Sequence, residues 1–504
     1  MKVLTAAQVR AWDEYTMEYE PISSIDLMER ASLSCVNWIL QRYPSLTEFS
    51  VFCGKGNNGG DGLAIARLLA LEGKLVQVHV LEFGFLGTPD FQINLSRLHQ
   101  FPQVQIQFIQ TPENLHPIPQ GRIVIDALFG VGLNRGLEGI AAQLITTINE
   151  ADTIVISIDM PSGLFAEKSS LSNNIIKAKH TLTFECLKPA LLFPENEPYV
   201  GELSVLAIGL HPHFVTQLEC DFHYVDAEFI RPFVKPRKKN SHKGNFGHAL
   251  LIAGNEGKMG AATLSAKGAL RAGIGLLTCL IPSNENVIMQ ITVPEAMTTT
   301  HLNGEIKNNL LFNATSPFTS VGIGPGIGQS KDATSILTKL IKEYKRPIVF
   351  DADALNILSQ RPDLLSAIPK GSILTPHSKE FDRLFGPSST DHERLLKASV
   401  WAQKSEIIIV LKGSNTMIFN ENKKVYFNST GNPGMATGGS GDVLTGIISS
   451  LLAQGYYSLE AALLGVFIHG MAGDLAVVSQ SQEALIAGDL PDHLGKAWKT
   501  LSIS

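Results

Sequence analysis

Gly434-Met435-Ala436-Thr437-Gly438-Gly439-Ser440-Gly441-Asp442 is followed at once by Val443-Leu444-Thr445-Gly446-Ile447-Ile448. Four glycines and a serine lead into one carboxylate, and an apolar helix pattern starts directly behind it. A glycine-rich turn feeding a helix N-terminus presents free backbone N–H groups and the positive end of the helix dipole. That arrangement suits a phosphate or another developing anion. An Asp at its mouth stands where a base for a hydroxyl group is needed. Turns of this kind are at home in α/β folds, where apolar strands hand over to helices through glycine.

Reading outward, the same grammar repeats. Apolar runs at 49–53, 75–81, 104–109, 123–127, 154–158, 180–184 and 203–207 alternate with helical patterns and glycine turns. Continuous apolar strands of this kind predict a parallel sheet covered on both faces. Residues 8–40 read as helices packed before the first strand. A seam follows near 229–245, where Arg231, Lys235, Arg237, Lys238, Lys239 and Lys243 crowd with Pro232 and Pro236. A basic cluster suits a nucleic-acid patch or a solvated linker. Sparse aromatics and the acidic chain favour the linker. The pattern then restarts at 249–253, 276–281, 320–323, 348–351, 372–375 and 407–412. Two α/β domains are expected, about 1–228 and 229–504.

Composition agrees. At 504 residues the chain is too long for one ordinary core. Hydrophobic content of 44% with 17% charged residues is globular. The net charge of −6 exerts no general pull toward nucleic acid. Cys35, Cys53, Cys186, Cys220 and Cys279 are odd in number and widely spaced without a CxxC, which predicts a reduced, cytoplasmic protein. Early Asp13 and Glu14 argue against a signal peptide, and no apolar run of ~18 residues predicts a membrane span.

The first strand runs into Gly54-Lys55-Gly56-Asn57-Asn58-Gly59-Gly60-Asp61-Gly62, with a helix behind it. This is an anion cradle, but not the dinucleotide GxGxxG, because Asn and Asp add side-chain donors and oxygen ligands. Two more strand ends point to the same crevice. One is Asp126-Ala127-Leu128-Phe129-Gly130-Val131-Gly132-Leu133-Asn134-Arg135-Gly136, the other Asp159-Met160-Pro161-Ser162-Gly163. Either Asp alone could cap a helix. Together with Asn58 they offer oxygen ligands suited to a hard cation.

The second half carries its own series of strand ends. Gly260-Ala261-Ala262 opens a helix of small residues, suited either to a large ligand or to plain helix–sheet packing. Gly322-Ile323-Gly324-Pro325-Gly326, Asp351-Ala352-Asp353-Ala354-Leu355 and Thr375-Pro376-His377-Ser378-Lys379-Glu380 follow. Lys412-Gly413-Ser414-Asn415-Thr416 reads as a strand and tight polar turn, either a phosphate holder or a solvated hairpin.

These motifs carry a resemblance. GNNGGDG, IDALFGVG and DMPSGL, with the opening residues 4–10 and 26–31, resemble the epimerase domain of the NAD(P)HX repair enzymes. The series GxGPG, DADAL, TPHxxE, KGxxT and GGSGD resembles the ribokinase-like superfamily, and within it the ADP- or ATP-dependent NAD(P)HX dehydratases. The resemblance implies an N-terminal Rossmann-like αβα domain and a C-terminal ribokinase-like αβα domain. It implies a bifunctional enzyme that epimerises hydrated NADH and NADPH (NADHX and NADPHX) and dehydrates the S form with ADP, taken as its Mg2+ complex. It assigns Asn57, Asn58, Gly59, Gly60, Asp61, residues 130–136 and Asp159 to the hydrate in the first domain, with Asp159 acting at the hydrated ring carbon. It assigns Asn58, Asp126 and Ser162 to a potassium ion. In the second domain it assigns Ala262, Gly326, His377 and Asp442 to the hydrate, and Lys412, Gly413, Ser414, Asn415, Thr416 and Gly441 to the nucleotide. Asp442 is the expected base. A homo-oligomer, tetramer or higher, is also implied, with no nucleic-acid or membrane partner.

Overall fold

The computed structural model describes residues 1–306, 312 and 316–502. The chain divides into two compact units, one holding Lys2–Cys220 with Thr390–His392 and the other Asp221–Ser389 with Glu393 onward. The division falls at 220/221 and not at 228/229. The reason is a strand, Phe222–Val225, that pairs with Val425–Asn428 inside the second unit.

In the first unit, helices α1 (Ala6–Tyr19) and α2 (Ser24–Arg42) precede the sheet. Its strands are β1 (Glu48–Cys53), β2 (Leu75–Leu81), β3 (Gln105–Ile109), β4 (Ile123–Ala127), β5 (Val155–Ile158), β6 (His180–Phe184) and β7 (Glu202–Leu206). They run parallel in the order β3-β2-β1-β4-β5-β6-β7. The order reverses beside β1, which opens a crevice at the carboxyl ends of β1 and β4. Helix α3 (Asn57–Leu71) follows β1, and α4 (Gly139–Glu150) follows β4. Alternate residues explain the layers. Phe49, Val51, Ile123 and Ile125 join α2 and α3 in one apolar cluster, while Phe52 and Val124 join Leu144, Ile145 and Ile148 of α4 in another.

The second unit's strands are β8 (Phe222–Val225), β9 (His248–Ile252), β10 (Leu276–Pro282), β11 (Met297–Leu302), β12 (Glu305–Ile306), β13 (Ser320–Ile323), β14 (Ile348–Phe350), β15 (Ile373–Leu374), β16 (Ile408–Leu411), β17 (Met417–Phe419) and β18 (Val425–Asn428). Their order is β8-β18-β17-β16-β15-β14-β13-β9-β10-β11-β12. From β16 to β11 the pairings are parallel, and β17 and β18 continue the sheet antiparallel. Helix α5 (Met259–Arg271) follows β9, α6 (Ser378–Phe385) follows β15, and α7 (Ser440–Ala453) and α8 (Ser458–Ala476) come late in the chain. Helices α5 and α7 pack backbone to backbone: a Cβ on Gly446 would lie 1.9 Å from the Ser265 carbonyl oxygen.

The six basic residues of the seam are all exposed, and two of them are also anchored. Lys235 Nζ donates to the Gly455 carbonyl at 2.7 Å and lies over the Tyr456 ring, and the Arg237 guanidinium stacks on Phe246 at 3.9 Å. Long cationic side chains cover apolar surface in this way. Helix α8 is long and apolar enough to cross a membrane by length and composition. It lies in the apolar core of the second unit, where Leu463, Leu464, Phe467 and Ile468 are buried. A helix apolar all round is what a core position demands.

Candidate active sites

A cleft of about 1050 Å³ opens in the first unit at the carboxyl ends of its strands. Asn57, Asn58, Asp61, all of residues 130–136 and Asp159 line it, as do Arg10 and Asp13 of α1. Gly59 and Gly60 lie behind this wall, buried against the Gly54 carbonyl and the Met28 sulfur.

Asp126 is fully buried beneath the cleft floor. It accepts from the Ser162 hydroxyl at 2.5 Å, the Ser162 N–H at 2.9 Å, the Ser157 hydroxyl at 2.7 Å and the Leu128 N–H at 3.3 Å. Burial pushes its carboxyl above the usual range while these bonds pull it back. The Phe129 N–H donates to Ser162 Oγ at 2.8 Å, and the next residue, Gly130, packs on the Asn58 side chain. Asn58, Asp126 and Ser162 therefore converge on one loop. The Asn58 amide oxygen and nitrogen are both buried without a hydrogen-bond partner. Orphaned polar atoms beside one carboxylate and one hydroxyl form an oxygen set that fits a monovalent cation.

Asp159 sits in left-handed backbone, φ 64°, a costly setting for a non-glycine residue. It is buried at the cleft edge, and Lys188 Nζ donates to its Oδ1 at 2.6 Å. Lys188 is not in the sequence reading. The available signal is one lysine inside the apolar run Leu187-Lys188-Pro189-Ala190-Leu191-Leu192. For Asp13 the signal is helical spacing: it lies four residues from both Val9 and Met17, on the cleft-lining face of α1. Burial first, then the charge of Asp159, raises Asp13 to about 7, and Lys188 opposes this. Deeper burial pushes Asp61 well above its ordinary range.

In the second unit, Gly439 takes a left-handed conformation, φ 96°, and turns the glycine-rich segment into α7. Ser440, Gly441 and Asp442 form the first turn of that helix. Asp442 is half-buried, and its carboxyl is raised to about 6, by burial first and then by the charge of Asp351, with Lys412 opposing. Lys412 Nζ lies 2.8 Å from Asp351 Oδ1 and 4.0 Å from Glu380 Oε2. A Cβ on Gly441 would lie 3.3 Å from the same ammonium. Thr445 Oγ1 donates to the other oxygen of Asp351 at 2.6 Å.

His377 caps α6. Its Nδ1 accepts from the Lys379 and Glu380 backbone N–H groups, and the His377 backbone N–H donates to Glu380 Oε2 at 3.0 Å. It pairs in parallel with Lys412 across the strand ends. Gly326 packs on Ala261 and the Lys258 carbonyl at the start of α5, one turn before the buried Ala262. The Gly328 N–H donates to Asp353, one of the carboxylates that raise Asp442. Gly413 and Ser414 are exposed at the β16–β17 turn, and Thr416 Oγ1 closes that turn on the Gly413 carbonyl at 3.1 Å. A turn can be both a hairpin and a ligand-facing surface. His469 of α8, also absent from the sequence reading, is held at the Ser440 carbonyl at 2.9 Å, and burial lowers it to about 4.

Comparison with known proteins matches both halves. The NAD(P)H-hydrate dehydratase family matches residues 249–498, and the YjeF-related protein N-terminus matches residues 24–190. A bifunctional NAD(P)H-hydrate repair enzyme of Moorella thermoacetica is 34% identical over 98% of this chain and 96% of its own length. That of Coxiella burnetii is 35% identical over 97% of each chain. The chain belongs to the bifunctional NAD(P)H-hydrate repair enzyme family. Among solved structures, an ADP/ATP-dependent NAD(P)H-hydrate dehydratase from Bacillus subtilis, co-crystallised with ATP and Mg2+, is 31% identical with a TM-score of 0.50. It covers 55% of this chain and 98% of its own. A ribokinase-like protein from Enterococcus faecalis is 28% identical with the same TM-score, over 56% of this chain and 98% of its own.

Proposed function

We propose that this chain repairs hydrated NADH and NADPH, epimerising the R and S hydrates in the first unit and dehydrating the S form in the second. The observation that carries the reading is full-length similarity to bifunctional repair enzymes in a chain whose units each gather a glycine turn and carboxylates at strand ends.

In the second unit, ADP, as its Mg2+ complex, is the phosphoryl donor. Hydroxide is a poor leaving group. The Asp442 carboxylate takes the proton of the ring hydroxyl as that oxygen accepts the phosphoryl group. The C–O bond then breaks, its electron pair leaving with phosphate as the nitrogen lone pair forms C=N. The adjacent ring carbon loses a proton to the departing phosphate, so that the C–H electrons form the ring C=C and the C=N electrons return to nitrogen. The N–H groups of the α7 first turn stabilise charge on the transferred group. Lys412, held between Asp351 and Glu380, faces the nucleotide phosphates with residues 413–416 and Gly441. Ala262, Gly326 and His377 contact the hydrate.

In the first unit, Asn57, Asn58, Asp61, residues 130–136 and Asp159 contact the hydrate. Asn58, Asp126 and Ser162 hold a potassium ion, whose charge orients the loop between β4 and α4. The protein works in the cytoplasm as a homo-oligomer of four or more copies, a state that light scattering measures directly.

The test follows phosphorus. Incubation of pure S hydrate with ADP releases AMP and inorganic phosphate in equal amounts, with NADH or NADPH. Accumulation of a phosphorylated organic product without phosphate release would make the second unit an ordinary small-molecule kinase.

A further inference from the structure

Lys188 has no solvent exposure, and its ammonium spends its three hydrogens within one unit: on Asp159 Oδ1 at 2.6 Å, Thr183 Oγ1 at 2.8 Å and the Phe184 carbonyl at 3.2 Å. A buried charge is held only where its partners compensate desolvation. Thr183 Oγ1 also donates toward Asp159 Oδ1 at 3.3 Å. The Asp159 side chain, on a strained backbone, is thus fixed in direction. The wall of the same cleft also contains Asp13, carried by a different element, α1.

We propose that Lys188 is the positioning residue that fixes Asp159 as the proton-accepting carboxylate of the first unit's cleft, and that Asp13 is its proton-donating counterpart. This rests on the epimerase reading above.

The chemistry requires such a pair. Water added across a ring enamine leaves its hydroxyl on the carbon bonded to the ring nitrogen. To invert that carbon, Asp13 gives a proton to the hydroxyl oxygen. The C–O bond breaks, its electron pair leaves with the oxygen as water, and the nitrogen lone pair forms C=N. A water then adds to the other face: its oxygen forms the new C–O bond, the C=N electrons return to nitrogen, and its surplus proton goes to Asp159. One water leaves, one enters, and one proton moves from Asp13 to Asp159. The reverse epimerisation returns it. Lys188 holds Asp159 in the direction from which it accepts that proton.

The groups acting on Asp13 are Asp159, Lys188, Glu14 on its own helix and Glu185, the residue after β6. Asp61 adds a further carboxyl, coupled to Asp13 and Asp159. The net effect sets Asp13 near neutrality, where an acid can both give and regain a proton. Burial first, and then the charge of Asp159, pushes Asp61 upward.

The experiment uses the full chain, pure S hydrate and no nucleotide, and follows the R form by chromatography. Asp13→Asn should slow epimerisation by ~10²–10⁴ with unchanged melting and unchanged ADP-dependent dehydration of the S form. Wild-type epimerisation should fall as pH rises through about 7, and the residual rate of Asp13→Asn should lack that fall. Asp13→Glu should recover part of the rate and restore the fall. Lys188→Met should lower the epimerisation kcat far more than it changes KM, and Lys188→Arg should recover part of that loss, because the contact to Asp159 Oδ1 is what fixes that carboxylate. If Lys188→Met does not fold, the Asp13→Asn profile decides. A wild-type chain that equilibrates the epimers, with Asp13→Asn above a third of its rate or with the alkaline fall intact, overturns the assignment. A wild-type chain that leaves pure S hydrate unchanged overturns the epimerase reading itself, and the proton assignment falls with it.

Discussion

Lys412 and Asp351 meet at 2.8 Å, from the end of β16 and the end of β14, directly beneath the first turn of α7. The pair keeps a buried carboxylate compensated, and under the proposed function its ammonium faces the nucleotide phosphates. Lys412→Ala should weaken ADP binding by ~1.5–3 kcal/mol, the range for a charge-assisted contact. Equilibrium titration measures this. Unchanged affinity would reduce Lys412 to a structural partner of Asp351.

Asp442→Asn should leave nucleotide affinity near wild type and lower dehydration by ~10²–10⁴. Its position at the helix mouth, as a carboxylate that accepts a proton and not a cation that holds phosphate, motivates the split. Turnover above a tenth of wild type would remove Asp442 from the role of base.

The same carboxyl predicts two pH effects. As a base it must be ionised, so dehydration should fall as pH drops through about 6. For stability the sign is opposite. The folded-state value of about 6 lies above the ordinary 3.8. Asp442 therefore favours the fold below about 4, and that contribution is lost as pH rises through about 6. Asp442→Asn should melt higher than wild type at pH 8, and the two should converge near pH 4. A variant that melts lower at pH 8 would contradict the burial argument.

Asp126→Ala should impair epimerisation while dehydration of pure S hydrate continues, because the two sites lie in different units. Potassium should raise the melting temperature of the wild-type first unit's transition by mass action, and Asp126→Ala should lose that response. Equal stabilisation of wild type by sodium, potassium and a bulky organic cation would remove the ion from the site.

Gly446→Ala should cost ~1–3 kcal/mol or more, since the added methyl enters the α5 backbone. Dehydration should fall with it, because α7 carries Asp442. A melting temperature equal to wild type would mean that the two helices separate freely.

Much of this was legible because strands and glycine turns write themselves locally. The predicted runs at 75–81, 123–127, 180–184 and 320–323 coincide with β2, β4, β6 and β13. The sheet edges were not legible. Strands β8, β11, β17 and β18 are Phe222–Val225, Met297–Leu302, Met417–Phe419 and Val425–Asn428. They are short or mixed in polarity, and their pairing partners lie far away in sequence for β8. Site residues at the ends of strands stood out by their glycines. Lys188 and Asp13 did not, because their meaning depends on a neighbour that only folding supplies. The α8 helix shows the same limit: composition cannot distinguish a core helix from a membrane span, whereas burial can.

The most direct measurement starts from an equilibrated mixture of R and S hydrates with excess ADP and follows the absorbance of reduced nicotinamide. One chain with both activities predicts recovery of the whole hydrate pool, with Asp126→Ala stopping early at the S fraction. Wild-type recovery that itself halts at the S fraction would contradict the claim that the first unit epimerises.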